Sequence, residues 1–421
     1  MLSLLPLGTP YYCADSQGSY DFEQPPCNPH AKTQHVPFVV LFALISLGTN
    51  ISLTATDGLL VEYAKDEPTS TRGTTQTHVL MARKLGEFAA VLMTAFAFNG
   101  KMYNGSFDQR YQLDFSQLCR ILILPAGVAL LTSLFCVREP LGRIVVASSL
   151  ASQARSAWVL LSRKAFFYVV VWTMGSSIVA LGTPASYYVA LQWAGVKTMQ
   201  QQLASLLGIL ATGLGLWVFT RYFLQTSWRK LILVTRLTCM VIDSIPVLLT
   251  IFAVARNQYF YLGEPLLDRV ITAGLDVQNM LLTNELADAE NAGMVGGLLA
   301  TIYCLAAPFS GVLGNQVFGL FSVSLSDRAN FIADTSDFRS EVAISFAITW
   351  GLSIASLGLL PFLPNQKKEA QQRMRDWPSH RCYAYTTLAA LAIALAWQLL
   401  VEFISMDPTL SCSKFVGGQG C

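Results

Sequence analysis

The sequence predicts an all-α fold: a polytopic bundle of helices that crosses a membrane about ten times. Hydrophobic residues make up 53% of the 421 residues and charged residues only 13%, whereas soluble domains carry about 25% charged residues. The mean hydropathy is +0.46. Apolar runs of about 20 residues, enough to cross ~30 Å of hydrocarbon, recur from one end of the chain to the other. These observations exclude an ordinary soluble domain.

Short polar loops with turn signals, such as Asn99-Gly100, separate the apolar runs. The ten candidate spans lie near 36–63, 79–99, 117–136, 165–186, 198–220, 231–255, 266–286, 292–321, 341–363 and 384–405.

The loop at 137–164 is the longest connection between spans and is basic at both ends, so it is a natural boundary between two bundles. Its middle, Ile144 to Ser162, has the composition of an amphipathic surface helix. The predicted segments are an exterior N-terminal segment (1–35), a partial N-terminal bundle (36–136), a central cytoplasmic loop (137–164), a C-terminal bundle (165–363), and a cytoplasmic loop, extra span and exterior tail (364–421).

Lys and Arg are unequally shared between alternate loops, which predicts the orientation. One set of loops is rich in them: the loop after the first span, the central loop, the loop around Arg229 and the loop from Lys367 to Arg381. The other set is sparser. Because Lys and Arg concentrate in cytoplasmic loops, the richer set is predicted to be cytoplasmic and both termini exterior.

Four of the nine cysteines lie in the two terminal segments, on the side where disulfides persist. Closeness in sequence predicts a Cys13–Cys27 bond and a Cys412–Cys421 bond.

Signatures of soluble enzymes and metal sites are absent from the sequence. There is no Walker A loop, no HExxH and no CxxC pair, and the four His residues show no metal-ligand spacing. The net charge of +2 is small, with no basic stripe for nucleic acid. We therefore expect no enzyme, no cofactor, no bound metal and no nucleic-acid partner.

Ionisable residues inside apolar spans are the informative positions, because they are costly there and usually face the bundle interior. Arg236 and Asp243 are seven residues apart, which puts them on one face of a helix, and with Asp57 they are predicted to face a shared cavity. A structural ion pair between spans is the alternative at each position. The candidate residues of a solute or proton path are Asp57, Glu62, Arg83, Arg236, Asp243, Asp276, Glu285 and Asn291.

Four stretches resemble one known family, the folate–biopterin transporters of the major facilitator superfamily. Thr56-Asp-Gly-Leu-Leu-Val-Glu62 with the following Arg72-Gly-Thr-Thr-Gln-Thr77 is similar to the acidic helix and turn of that family. The other three are Asn99 to Phe107, Asn284 to Phe309, and the tail Gly417 to Cys421. Together they cover nearly the whole chain in the order and spacing of the family.

The resemblance implies a major-facilitator-like bundle of two halves around a central cavity. Compared with the family, the chain begins at the end of the third helix, so its ten spans correspond to helices four to thirteen. The N-terminal half is then incomplete, and the last span is an extra one.

The implied function is secondary transport of folate, a pterin or an S-adenosylmethionine-like solute across a membrane, by default the plasma membrane. Asp57 would carry a coupling proton, and Arg236 would meet an anionic solute. The alternative is a truncated, non-transporting paralogue that binds solute or associates with a complete transporter. It is suggested by Leu53, Ala292 and Cys304, which stand where the family usually has polar residues.

Overall fold

The computed structural model describes residues 25, 27–30, 36–68, 73–98, 113, 115–136, 149–287, 291–406, 410 and 413. Every regular element in these ranges is a helix, which confirms the all-α prediction. The helices are α1 (Val36–Asp66), α2 (Thr74–Ala97), α3 (Phe115–Cys136), α4 (Leu150–Leu161), α5 (Lys164–Val179), α6 (Ala185–Tyr188), α7 (Thr198–Val218), α8 (Trp228–Ile251), α9 (Gln258–Leu286), α10 (Ala292–Phe318), α11 (Arg328–Ala333), α12 (Ser336–Ser356), α13 (Lys367–Asp376) and α14 (Arg381–Met406).

Seven helical segments of the described chain are long and apolar enough to cross a membrane, so the protein is a membrane protein. They are Val40–Val61, Phe115–Phe135, Met199–Phe223, Trp228–Ile251, Gly293–Phe318, Ser336–Phe362 and Arg381–Ile404. The other three predicted spans coincide with α2, α5 and α9, and the count of ten stays a prediction. Within the central loop, α4 occupies part of the predicted surface helix, and residues 137–148 lie outside the described ranges.

The predicted span at 165–186 is longer than the helix found there. The helix α5 ends at Val179, and Ala180 leaves the helical region with ψ 69°. Pro184 follows shortly afterwards, and the residue before a proline is disfavoured in helical conformation. A short helix, α6, then continues as a π-helical turn at Val189–Trp193.

The chain forms two compact units, residues 1–56 with 86–148 and residues 57–85 with 149–421. In the first unit, the Phe42 and Phe115 rings lie 5.9 Å apart, and the Leu113 amide donates to the Ala97 carbonyl at 3.0 Å. The side chains of Leu47 and many other apolar residues there are exposed. Lipid tails are as apolar as leucine, so such a surface suits a bilayer. The predicted division at the central loop stays a prediction.

The core of the second unit is organised around α9, which packs closely against α7. A Cβ added to Gly215 of α7 would overlap the Val270 carbonyl oxygen of α9, and one added to Gly274 would overlap the Phe219 ring. Val277 and Leu281 of α9 are fully buried. Small residues thus let the two helix backbones approach, as is common between membrane helices.

The loops predicted to be cytoplasmic contact one another in the second unit. The Trp228 amide, at the start of α8, donates to the Asn365 carbonyl before α13 at 2.8 Å. The His380 amide, before α14, donates to the Ser162 carbonyl after α4 at 2.8 Å. Three connections from the Lys/Arg-rich set therefore lie together.

Loops predicted to be exterior also contact one another in this unit. The Asp334 carboxylate accepts hydrogen bonds from Arg256 at 2.6 Å and from Arg339 at 2.7 Å. The Arg256 guanidinium lies 5.0 Å from the centre of the Trp193 ring. This grouping agrees with the alternation of loops predicted from charge, while the side that each group faces stays a prediction.

Of the predicted disulfide cysteines, only Cys27 is within the described ranges, and it is disulfide-bonded. Cys13, Cys412 and Cys421 lie outside them, so both pairings stay predictions.

Candidate functional site

A cavity of about 490 Å³ lies within the second unit, lined by residues of α1, α2, α5, α8, α9 and α10. This volume lies in the range of sites that bind small molecules, which is about 300–1,000 Å³. Its wall combines apolar side chains with ionisable, amide and hydroxyl groups.

Two aspartates and two arginines line the cavity: Asp57, Arg83, Arg236 and Asp276. Asp57 of α1 accepts a hydrogen bond from Arg83 Nη2 of α2 at 2.5 Å, so these two charges compensate each other. No ion pair joins Arg236 of α8 to any residue that the structure describes. An arginine within a membrane span is costly without a partner, and it therefore marks a place where an anion is favoured.

A close approach of two glycines positions this part of α1. A Cβ added to Gly58 would lie 3.3 Å from the Gly293 α-carbon, near the start of α10. The neighbouring Asp57 is held where α1 borders the cavity, and Arg83 reaches it from the next helix. Asp57 and Arg83 are 26 residues apart in the sequence.

The hydroxyl groups of α5 and the amide groups of α9 in this lining were not predicted, although their spacing carried a signal. On α5, Thr173, Ser176 and Ser177 lie three and four residues apart in an otherwise apolar helix, so they share one face. On α9, Asn279 follows Asp276 by three residues, and both line the cavity.

Two buried amides complete the polar wall. Gln278 and Asn284 of α9 are 1% and 4% exposed. Their nitrogens, Nε2 and Nδ2, have no hydrogen-bond partner in the described part of the chain. Aromatic surface comes from Trp172 of α5 and Tyr303 of α10, against which a planar solute can stack.

Other predicted residues lie elsewhere. The Asp243 carboxylate accepts a hydrogen bond from Trp350 Nε1 of α12 at 2.8 Å and does not line the cavity. Glu285 is buried and accepts from Gln371 Nε2 of α13 at 2.5 Å. The Asn291 carbonyl accepts from the Val295 amide at 3.0 Å, at the start of α10.

The structure thus brings four of the eight predicted residues together, and it separates Asp243 from Arg236. A separation of seven residues puts Arg236 and Asp243 on one face of the helix. It also places them about 10.5 Å apart along the helix axis, so the two side chains meet different neighbours. Glu62 lies on α1, and its side chain is outside the described part of the chain.

Among the described residues, no group of three or more His, Cys, Asp or Glu side chains is placed to hold a metal ion.

No protein-family model, no curated protein and no solved structure matches this chain. Membership of the folate–biopterin transporter family stays a prediction from the sequence.

Proposed function

We propose that this protein is a secondary transporter of folate, a pterin or a related cofactor-like solute, with a major-facilitator-like bundle, in the plasma membrane. The observation that carries the proposal is the cavity, which gathers Asp57, Arg83, Arg236 and Asp276 from four helices of an apolar unit. Each such charge costs at least ~2.5 kcal/mol at the centre of a bilayer, and charges kept there mark paths for solutes or ions.

Solute binding and proton coupling are carried out by different charged residues. Arg236, which has no ion-pair partner in the described chain, receives the carboxylate of an anionic solute such as folate. Asp57 carries the coupling proton, and taking it up weakens the ion pair with Arg83 that joins α1 to α2. A cationic solute such as S-adenosylmethionine would instead favour the carboxylates of Asp57 and Asp276.

Transport is favoured over catalysis because the sequence lacks the motifs of enzymes and of cofactor binding.

The test is solute binding by the purified protein in lipid nanodiscs, with folate and the neutral biopterin as probes. Arg236→Gln should weaken folate binding about tenfold, equivalent to about 1.4 kcal/mol, and should weaken biopterin binding much less. The matched control is Arg269→Gln, which removes a charge from α9 outside the cavity lining. Equal losses for both probes, or no loss for folate, would contradict the role of Arg236.

Uptake by vesicles separates the transporter from the binding-only paralogue. Asp57→Asn should reduce proton-driven uptake while the protein still reaches the membrane. Binding without uptake by the wild-type protein would favour the paralogue, and wild-type protein that binds none of folate, biopterin and S-adenosylmethionine would refute the proposal.

A further inference from the structure

The two buried amides of α9 have donors that the described chain does not use. Gln278 Nε2 and Asn284 Nδ2 are shielded from solvent, and neither has a hydrogen-bond partner among the described residues. Buried amide groups are nearly always hydrogen-bonded, because burial removes their hydration and an unmade bond leaves that loss uncompensated. Gln278 and Asn284 also line the cavity.

Packing alone does not account for an amide at these positions. Gln278 follows Val277, which is fully buried, and Leu281 is fully buried one turn later. Replacing an unbonded polar group with an apolar group of the same shape is neutral or stabilising, so leucine would suit this environment better. The amides therefore indicate a partner that is not among the described residues.

We propose that Gln278 and Asn284 form a neutral donor subsite, which binds uncharged oxygen or nitrogen acceptors of the solute. A ring carbonyl or a ring nitrogen of a heteroaromatic solute is the matching chemistry, since an amide N–H donates to either. This inference rests on the proposed function and deepens it. It assigns recognition of the uncharged heterocycle to α9 and leaves recognition of a carboxylate to Arg236 on α8.

The spacing of the two amides adds a geometric condition. Six residues of helix correspond to a rise of about 9 Å, so the two donors meet different acceptor groups. The subsite therefore selects a solute with acceptors at separated points, whether or not the solute carries a charge. Trp172 offers a buried aromatic surface in the same cavity for the ring itself.

The experiment measures biopterin binding and thermal unfolding of the whole 421-residue chain in nanodiscs. The double variant Gln278→Leu/Asn284→Leu should bind biopterin at least tenfold more weakly, while its melting temperature without ligand stays the same or rises. A loss of biopterin affinity without a fall in melting temperature distinguishes a binding role from a structural role. Gln201→Leu on α7 makes the same change at an exposed residue outside the cavity and should alter neither measurement.

Three results would overturn the inference. The double variant could bind biopterin as tightly as the wild type, or it could melt earlier with unchanged affinity, which would make the amides structural. Wild-type protein that binds folate but not biopterin would show that neutral acceptors are not recognised. Failure of the wild type to bind any of folate, biopterin and S-adenosylmethionine is a separate result, which refutes the proposed function and this inference with it.

Discussion

At the scale of single residues, Asp334 is the clearest example of a side chain whose neighbours decide its behaviour. It has a left-handed backbone, with φ +49°, and its carboxylate accepts two hydrogen bonds each from Arg256 and Arg339. The Arg256 guanidinium, aided by Arg339 and opposed by burial, holds the pKa of Asp334 well below its ordinary value. One carboxylate thereby joins the loop before α9 to the start of α12.

The lowered pKa makes this contact sensitive to acid. Because the pKa is lower in the folded than in the unfolded state, ionised Asp334 stabilises the fold at neutral pH. That stability is lost as pH falls through the ordinary pKa of about 3.9 toward the folded one. We expect Asp334→Asn to lower the free energy of unfolding by about 2 kcal/mol at pH 6 and to flatten its decline between pH 5 and 3.

Thermal unfolding in detergent across this pH range checks the prediction. Asparagine also tolerates the left-handed conformation, so the variant changes charge rather than backbone preference. Asp337→Asn, an exposed position in the first turn of α12, is the control. An unchanged pH dependence in Asp334→Asn would show that the contact is not the acid-sensitive element.

At the scale of helices, the contact between α7 and α9 depends on the absence of side-chain atoms at one position. A Cβ on Gly215 would overlap Val270 and Ala273 of α9, whereas one on Gly213, two residues earlier in α7, would meet nothing within 4 Å. The two glycines differ in their surroundings and not in their helix, so they form a matched pair.

We expect Gly215→Ala to destabilise the protein by about 1–3 kcal/mol, because the added methyl group forces the helices apart. Gly213→Ala should be neutral or slightly stabilising, since alanine favours helix over glycine. Melting temperatures of both variants in the same detergent check the prediction. Equal effects would mean that α7 can shift to make room, and that the close packing does not limit stability.

At the scale of the whole molecule, the loops of the second unit meet in two groups that follow the charge alternation. The group that joins α4, α8, α13 and α14 contains Cys382, which is exposed and not disulfide-bonded. The other group contains Ser336, an exposed residue at the start of α12. The positive-inside rule predicts that the first group faces the cytoplasm and the second the exterior.

Labelling of single-cysteine variants with an impermeant maleimide tests this topology. In intact cells, Ser336→Cys should react, and a protein that retains only Cys382 should react only after permeabilisation. Variants that retain only Cys13 or only Cys412 should behave like Ser336→Cys, because both termini are predicted to be exterior. Labelling of only one terminus in intact cells would refute the ten-span count.

The sequence by itself determined the fold class and the places of the long helices, because a span of apolar residues is a local property with a length set by the bilayer. It also marked Asp57, Arg83, Arg236 and Asp276 as unusual, since ionisable groups in apolar runs are visible without a structure. The faces of α5 and α9 that carry hydroxyl and amide groups were readable from their spacing as well.

Only the tertiary structure decided which of these residues meet. Helical periodicity fixes the face on which a side chain lies but neither its depth nor the helix opposite, so Asp243 bonds to Trp350 while Arg236 lines the cavity. The pairing of Asp57 with Arg83 likewise depends on how α1 and α2 are placed. The buried amides of Gln278 and Asn284 became conspicuous only after packing had removed every other partner within the described chain, because burial depends on all the neighbouring helices together.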